Sequence, residues 1–208
     1  SVKGDNDLCT HKLFELGVDV SIGRVSPSCV IKLWLDKPSD DCIPLLLAHH
    51  FSRRRIQWPS RHHGLNALRL TAETEKLSVP RGSYVIVRNV PAKEGSRRIV
   101  AYAVKATDFP CSRLAFEQHL LVINSRSQGI GDDFASGIAL FLNSAAAYRQ
   151  FAAFSGQRRM HVADLRHMRF PSRDIISEFG RWASHQKNVT QKGIDNYIES
   201  FRAHAPSK

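Results

Sequence analysis

The chain has 208 residues, 42% of them hydrophobic and 24% charged, with 30 Lys and Arg against 19 Asp and Glu for a net charge of +11. These are the values of a folded globular chain, long enough to bury a core without disulfide or metal staples, and they exclude a disordered one. No apolar run approaches the length that spans a bilayer, and Ser1-Val2-Lys3-Gly4-Asp5 lacks the apolar core of a signal peptide, so a cytoplasmic protein with no membrane partner is expected.

Leu13 to Leu16 reads as a short apolar element stopped by Gly17. Val18 to Val25 alternates with period two, and Val30 to Leu35 is a further strand candidate ahead of a Pro38-Ser39-Asp40-Asp41 loop. Ile43 to Leu47 is short, apolar and buried in expectation. Ser83 to Val90 is rich in β-branched residues. A polar connection over 91–96 joins it to Arg97 to Val104, so the pair reads as a hairpin. Phe116 to Ile123 is expected to be one more strand. The period then becomes helical: Ile138, Phe141, Leu142, Ala145, Tyr148, Phe151 and Ala152 recur at three and four, with Asp132 or Asp133 to start the helix and Gly156 to end it. A short element covers His161 to Arg169. Ser172 or Asp174 starts a helix to about Ser184, and Thr190 caps a last one to about Ala203. Strands followed by helices predict an α+β (mixed α/β) fold. The expected form is a twisted β-sheet over 1–128 with a helical C-terminal part over 129–208 packed on it as one structural unit. Ser1 stands in place of an initiator Met, which fits a piece of something longer.

Charge is unevenly placed. Residues 1–50 carry a net −2, 51–100 a net +8, 101–150 none, and 151–208 a net +5. Two basic blocks from separate parts of a chain can converge on one face and attract a polyanion. Arg outnumbers Lys in both blocks, and its planar fork suits phosphate oxygens and guanine edges.

Catalytic patterns are sparse. None of the 19 acidic residues has Lys two positions later, the spacing a common metal-dependent nuclease wants. Asp40-Asp41 and Asp132-Asp133 are adjacent pairs, which point apart on a strand and serve better as turn or cap residues. Gly129-Ile130-Gly131 starts like a nucleotide loop, but Phe134 stands at the third glycine and two aspartates would repel phosphate. His49-His50 and His62-His63 have no cysteine or acidic partner at zinc-ligand spacing. Cys9, Cys29, Cys42 and Cys111 form no Cys-x-x-Cys pair and read as reduced thiols. No catalytic residue, metal site or cofactor is therefore expected in this chain.

Binding patterns are stronger. Three stretches combine cations with loop chemistry: Arg53-Arg54-Arg55 followed by Arg61-His62-His63-Gly64, then Lys93-Glu94-Gly95-Ser96-Arg97-Arg98, and then Phe154-Ser155-Gly156-Gln157-Arg158-Arg159-Met160-His161. Glycine permits close backbone approach to a ligand, and Gln, Arg and His beside it are side chains that read base edges.

These stretches also carry a family resemblance. Ala139-Leu140-Phe141-Leu142-Asn143-Ser144, Phe151 to Gly156, Asp164-Leu165-Arg166 and Arg169-Phe170-Pro171-Ser172 resemble the C-terminal target-recognition region of restriction–modification N6-adenine DNA methyltransferases, of type II or type IIG kind. More distantly they are similar to recognition domains of type I specificity subunits. Leu16 to Val25, Pro44-Leu45, Trp58-Pro59, Tyr84 to Arg88, Ala92 to Ala101 and Phe116 to Leu120 extend the likeness, in order, from about residue 13 to 180. Where the family has a His-Thr-Gln-x-Asn-like run this chain has Gln157-Arg158-Arg159-Met160-His161, and Glu-Asn-His-Leu-Asn becomes Glu117-Gln118-His119-Leu120-Leu121. Recognition residues are where target specificity changes.

The resemblance implies sequence-specific binding of double-stranded DNA, with a methyltransferase catalytic domain as partner in cis or in trans. Phosphates would be held by Arg53, Arg54, Arg55, Lys93, Arg97 and Arg98, and base edges read from Gln157, Arg158, Arg159 and His161. Arg24 beside Gly23 is a weaker backbone contact. The family's Asn-Pro-Pro-Tyr or Asp-Pro-Pro-Tyr and Phe-x-Gly-x-Gly motifs are missing, so S-adenosylmethionine belongs to the parent enzyme and this chain should not methylate alone. Two other readings stay open: an RNA-binding module, which needs strand aromatics such as Tyr84 and Tyr102 exposed for stacking, and a protein-docking module using the apolar face around Trp182.

Overall fold

In the computed structural model, residues 8–39, 41–52, 55–61, 64–88, 99–155 and 159–203 are described. A four-stranded antiparallel sheet lies at the centre. It is built, in spatial order, from β1 (Asp19–Ile22), β11 (Leu120–Asn124), β8 (Tyr84–Arg88) and β9 (Ala101–Val104). The second sheet has five strands in the order β2 (Trp34–Leu35), β6 (Ala67–Arg69), β3 (Cys42–Leu46), β10 (Arg113–Phe116) and β7 (Val79–Pro80), with β3 and β10 parallel. A two-stranded hairpin pairs β4 (Phe51–Ser52) with β5 (Arg55–Ile56). The helices are α1 (Ala72–Leu77), α2 (Asp132–Leu142), α3 (Ala145–Ser155), α4 (Val162–His167), α5 (Arg173–Ser184) and α6 (Gln191–Ala203). The mixed α/β class read from the sequence is the class observed.

The central sheet is covered on both faces along β8, β9 and β11, which explains the apolar runs of β8 and β11, while on β1 only Val20 is buried. Val20, Val85, Val87, Leu121 and Ile123 pack with α2, α4 and α5 in one core. Tyr84, Ile86, Tyr102, Val104, Leu120 and Val122 pack the other way, against Leu46, Phe51, Leu114 and Phe116. A third, smaller cluster around Val25, Ile43, Leu45 and Leu68 covers the far side of the five-stranded sheet. Tyr84 shows how a polar atom is accommodated in this middle layer. Its hydroxyl donates to Pro80 O at 2.6 Å, and burial pushes its pKa up to about 12.

Helix α2 is buried almost all round because α5 lies directly on it. A Cβ on Gly137 would sit 1.7 Å from Ile176 O, and one on Gly180 would sit 1.8 Å from Asp133 O. The two glycines thus let each helix touch the other's backbone. Ser172 caps α5 by accepting from Ile175 N, and Thr190 Oγ1 accepts from Gly193 N at the start of α6. Trp182 stacks on Tyr197 at 4.2 Å, so the apolar face around Trp182 is met by α6.

Three expectations from the sequence need correction. Val30 to Leu35 is not one strand: a 3-10 turn, Ile31–Leu33, closes with Leu33 N on Val30 O, and only Trp34–Leu35 pairs with β6. Phe116 to Ile123 is split between two sheets. Glu117-Gln118-His119 turns the chain from β10 to β11, with Leu120 N donating back to Glu117 O. The long helix after Asp132 is two helices. Asn143 ends α2 by turning its amide onto Ala101, and Ser144 Oγ accepts from Ala147 N to begin α3. The expected stop, Gly156, lies outside the described residues.

Both edges of the central sheet are blunted by side chains. On β9, Asn143 accepts from Ala101 N at 3.3 Å and donates to Ala101 O at 2.7 Å. On β1, Arg166 grips Asp19 with Nε and Nη2, each at 2.8 Å, and Nη2 also donates to Val20 O at 3.2 Å.

Two outcomes follow from this packing. Gly137→Ala forces a methyl against the α5 backbone and should destabilise the fold by about 3 kcal/mol or more, measured by urea unfolding. The Arg166 hydrogen bond lowers the Asp19 carboxyl pKa below its ordinary value of 3.8. Stability from this pair is therefore present above that value and is lost as pH falls through the depressed one. Both partners are 54% exposed, so Arg166→Ala should cost only about 0.5–1 kcal/mol at neutral pH. The gap between variant and wild type should close on acidification below 3.8.

Candidate nucleic-acid interface

With both faces covered, the sheet offers its edges and ends. At one end, four residues line up across the strands. Gly23 N donates to Leu120 O, Leu120 pairs with Arg88, and Arg88 N donates to Val100 O. A Cβ on Gly23 would lie 2.1 Å from Glu117 O, so glycine is what lets the end of β1 approach the β10–β11 turn. That turn is fixed by Glu117, whose Oε2 accepts from Ala48 N at 3.2 Å and whose Oε1 meets His119 Nδ1 at 2.7 Å.

The hairpin β4–β5 stands beside this row. Phe51 is fully buried, with its ring 5.1 Å from that of Tyr102, and its carbonyl accepts from Arg88 Nη1 at 2.8 Å. The hairpin and the β8–β9 connection are thus rooted together. Their connecting residues, 53–54 and 89–98, lie outside the described set, and so do the expected phosphate contacts Arg53, Arg54, Lys93, Arg97 and Arg98. Gln157 and Arg158 also lie outside it.

Behind the hairpin, Asn66 ties together Asp36, His50, Trp58 and Ser60. It is 2% exposed, and its amide is saturated. Oδ1 accepts from His50 Nε2 at 3.0 Å and Ser60 N at 2.6 Å, while Nδ2 donates to Asp36 O at 2.7 Å and Ser60 O at 3.1 Å. Its own carbonyl accepts from Trp58 Nε1 at 2.6 Å. Because His50 Nδ1 accepts from Leu47 N at 3.1 Å, the ring proton sits on Nε2, as the bond to Asn66 requires. The segment so held carries exposed Arg61. No signal in the sequence marked Asn66. A single asparagine between Leu65 and Ala67 looks like any strand-end residue until the separate stretches of chain that its amide joins are seen together.

A cleft of about 610 Å³ opens between the hairpin, the β9 edge, α2 and α6, with Arg55, Trp58, Ala103, Lys105, Asp108 and Asn143 on its walls. Arg55 is exposed there, at the β9 side of the sheet. Arg159 and His161 are also exposed, just ahead of α4, which packs against β1 on the opposite edge. His161 N donates to buried Asp164 Oδ2 at 2.7 Å, fixing the turn into α4. Three strand spacings separate the two edges, roughly 14 Å. Arg24 leaves the end row, and its guanidinium runs back over the sheet to Ser127 Oγ at 2.6 Å. The structure thus places Arg159 with His161, and Arg55 and Arg24 apart from them and from each other. Tyr84 and Tyr102 are 0% and 6% exposed, so neither presents a ring for base stacking.

Among the described residues, no three His, Cys, Asp or Glu side chains converge as a metal site, and no helix is long and apolar enough to cross a membrane.

No family profile matches the chain. It is 33% identical over 192 residues, 92% of its length, to the type II methyltransferase M.BsuBI of Bacillus subtilis. It is 29% identical over 167 residues, 80% of its length, to the type II methyltransferase M.PstI of Providencia stuartii. The resemblance to type II restriction–modification methyltransferases is thereby borne out. The chain spans only 38% and 33% of those relatives. Among solved structures, the type IIG restriction endonuclease BpuSI superposes with a TM-score of 0.47 at 11% identity, over 84% of this chain and 26% of that one. A type I restriction–modification assembly gives a TM-score of 0.40 at 12% identity, over 93% of this chain and 41% of that one.

Asn66→Ala should remove the bonds that the buried amide makes to the His50 ring, to Ser60 and to the Asp36 carbonyl, lowering stability by about 2–4 kcal/mol in urea unfolding. Asn66→Asp should not restore it, because a carboxylate would face the Asp36 and Ser60 carbonyls that the amide now donates to.

Proposed function

We propose that this chain binds duplex DNA sequence-specifically, as the target-recognition part of an adenine-specific type II methyltransferase. The observation that carries the reading is a mismatch of extents. The likeness to M.BsuBI covers 92% of this chain but only 38% of that enzyme, and this chain has none of the Asn-Pro-Pro-Tyr, Asp-Pro-Pro-Tyr or Phe-x-Gly-x-Gly motifs that flip a base or bind the methyl donor. What it shares with the enzyme is therefore a part that does no methyl transfer, and the work left to such a part is choosing the site. In this reading the methyl donor, S-adenosylmethionine, and the catalytic domain are partners supplied by the rest of a longer enzyme.

The geometry supports the same reading. Cations stand at both edges of a rigid sheet, Arg55 at one and Arg159 with His161 at the other. Arg53, Arg54, Arg55, Lys93, Arg97 and Arg98 are assigned to phosphates, and Gln157, Arg158, Arg159 and His161 to base edges. Arg24 is assigned a lesser backbone contact, made if its guanidinium leaves Ser127.

The test is titration of the chain against a pool of duplexes, with the selected sequence then compared with random DNA over a salt series. Replacing Arg53, Arg54 and Arg55 together by Ala should weaken all duplexes alike and flatten the log–log salt slope by about one for each phosphate no longer held. Arg159→Ala should instead weaken the selected site by about 1–3 kcal/mol relative to random DNA. Equal affinity of the wild-type chain for every duplex would overturn the recognition role.

A further inference from the structure

We infer that Arg88 forms a phosphate-binding site at the end of the central sheet, a role that rests on the DNA-binding reading above. Arg88 is the last residue of β8 and lies on the same face as Tyr84 and Ile86, which are fully buried. Strand alternation therefore carries its stem out along the core rather than into solvent, and the residue is half-buried. Its guanidinium is under-satisfied for such a place. Nη1 donates to Phe51 O at 2.8 Å, while Nε is buried without a hydrogen-bond partner.

No carboxylate among the described residues pairs with Arg88. Glu117, three positions before its strand partner Leu120, has its oxygens occupied by Ala48 N and the His119 ring. A guanidinium removed from bulk water normally sits against an anion, because an unpaired charge is costly to desolvate. Here the described residues supply one carbonyl and no carboxylate. The ligand chemistry that completes the guanidinium's partners is a phosphodiester oxygen, which a planar fork can meet with a second, charge-assisted bond.

The surroundings point the same way. Arg88 precedes the connection that carries Lys93, Arg97 and Arg98, and it bonds to the root of the hairpin that carries Arg53 and Arg54. Its position is fixed by the register Leu120↔Arg88 and by the bond to Phe51, so a phosphate bound there would set the distance of the duplex from the sheet end.

The experiment measures binding of the full chain to a random-sequence duplex across a NaCl series, for wild type, Arg88→Gln and Arg88→Lys. Gln keeps an amide donor at about the position of Nε but carries no charge. If Arg88 holds a phosphate, Arg88→Gln should bind about tenfold more weakly near 0.1 M salt with the log–log slope reduced by about one, and Arg88→Lys should keep the slope. If Arg88 only ties the hairpin to the sheet, Arg88→Gln keeps the wild-type slope whatever its affinity, and the proposal is overturned. Should the Gln variant not fold, phenylglyoxal labelling of wild type with peptide mapping decides. Protection of Arg88 by duplex supports the site; equal labelling, or no labelling even without DNA, overturns it. A wild-type chain that binds no duplex removes the DNA-binding reading and this inference together, whereas wild-type binding with an indifferent Arg88→Gln removes the inference alone.

Discussion

A β-sheet buried on both faces is the constraint from which the rest of this molecule follows. Strands β8, β9 and β11 of the central sheet send alternate side chains to two different cores, one shared with α2 and α5 and one shared with the second sheet. Register is therefore doubly specified: a one-residue slip would exchange the contents of both cores at once. It also removes both faces as binding surfaces. What the sheet can still present is its two edges, its two ends, and whatever the connections between strands carry.

The edges are closed by side chains rather than by further strands. Asn143 satisfies Ala101 on β9, and Arg166 satisfies Val20 on β1 while pairing with Asp19. Both come from the helical part of the chain, so the helices contribute to the sheet beyond covering it. The cost of this arrangement is local irregularity, visible where Asn143 interrupts what would otherwise be a single long helix. Closing the edges discourages strand addition, and it leaves the ends and the connections as the places where charge gathers. The end marked by Gly23, Leu120, Arg88 and Val100 is one of them.

The class of fold was legible because it depends on period. Val85-Ile86-Val87 can only be a covered strand or a buried helix segment, and its length and β-branching decide for the strand. Gly17 at φ 76°, Ser172 and Thr190 acted as the terminators and caps that their residue types announce. Two of the misreadings, and the missed Asn66, share a different cause. Glu117, Asn143 and Asn66 each bond to residues far away in the chain, and a polar residue with distant partners looks locally like an ordinary turn. Glu117-Gln118-His119 did interrupt the apolar run, but only the presence of a second sheet gives that interruption the meaning of a crossover. The candidate site was legible as composition, in the basic block over 51–100. It was not legible as geometry, since Arg24, Arg55 and Arg159 belong to three different places that no spacing rule connects.

Arg88 shows why position matters more than charge count in such a block. Of the eleven basic residues between 51 and 100, most are on connections or exposed positions, where a long side chain must lose rotamer freedom to bind and bulk water competes for its charge. Arg88 has lost part of that freedom: it is half-buried on the side of β8 that carries Tyr84 and Ile86, and one donor is fixed on Phe51. A cation held this way binds an anion with less ordering left to do, and its attraction is screened less than that of a fully solvated one. Preorganisation of this kind requires a rigid frame, and the doubly covered sheet is what provides it. The same packing that denies the sheet a binding face thus makes its end a place where one arginine can locate a ligand for the other cations of the basic block to engage.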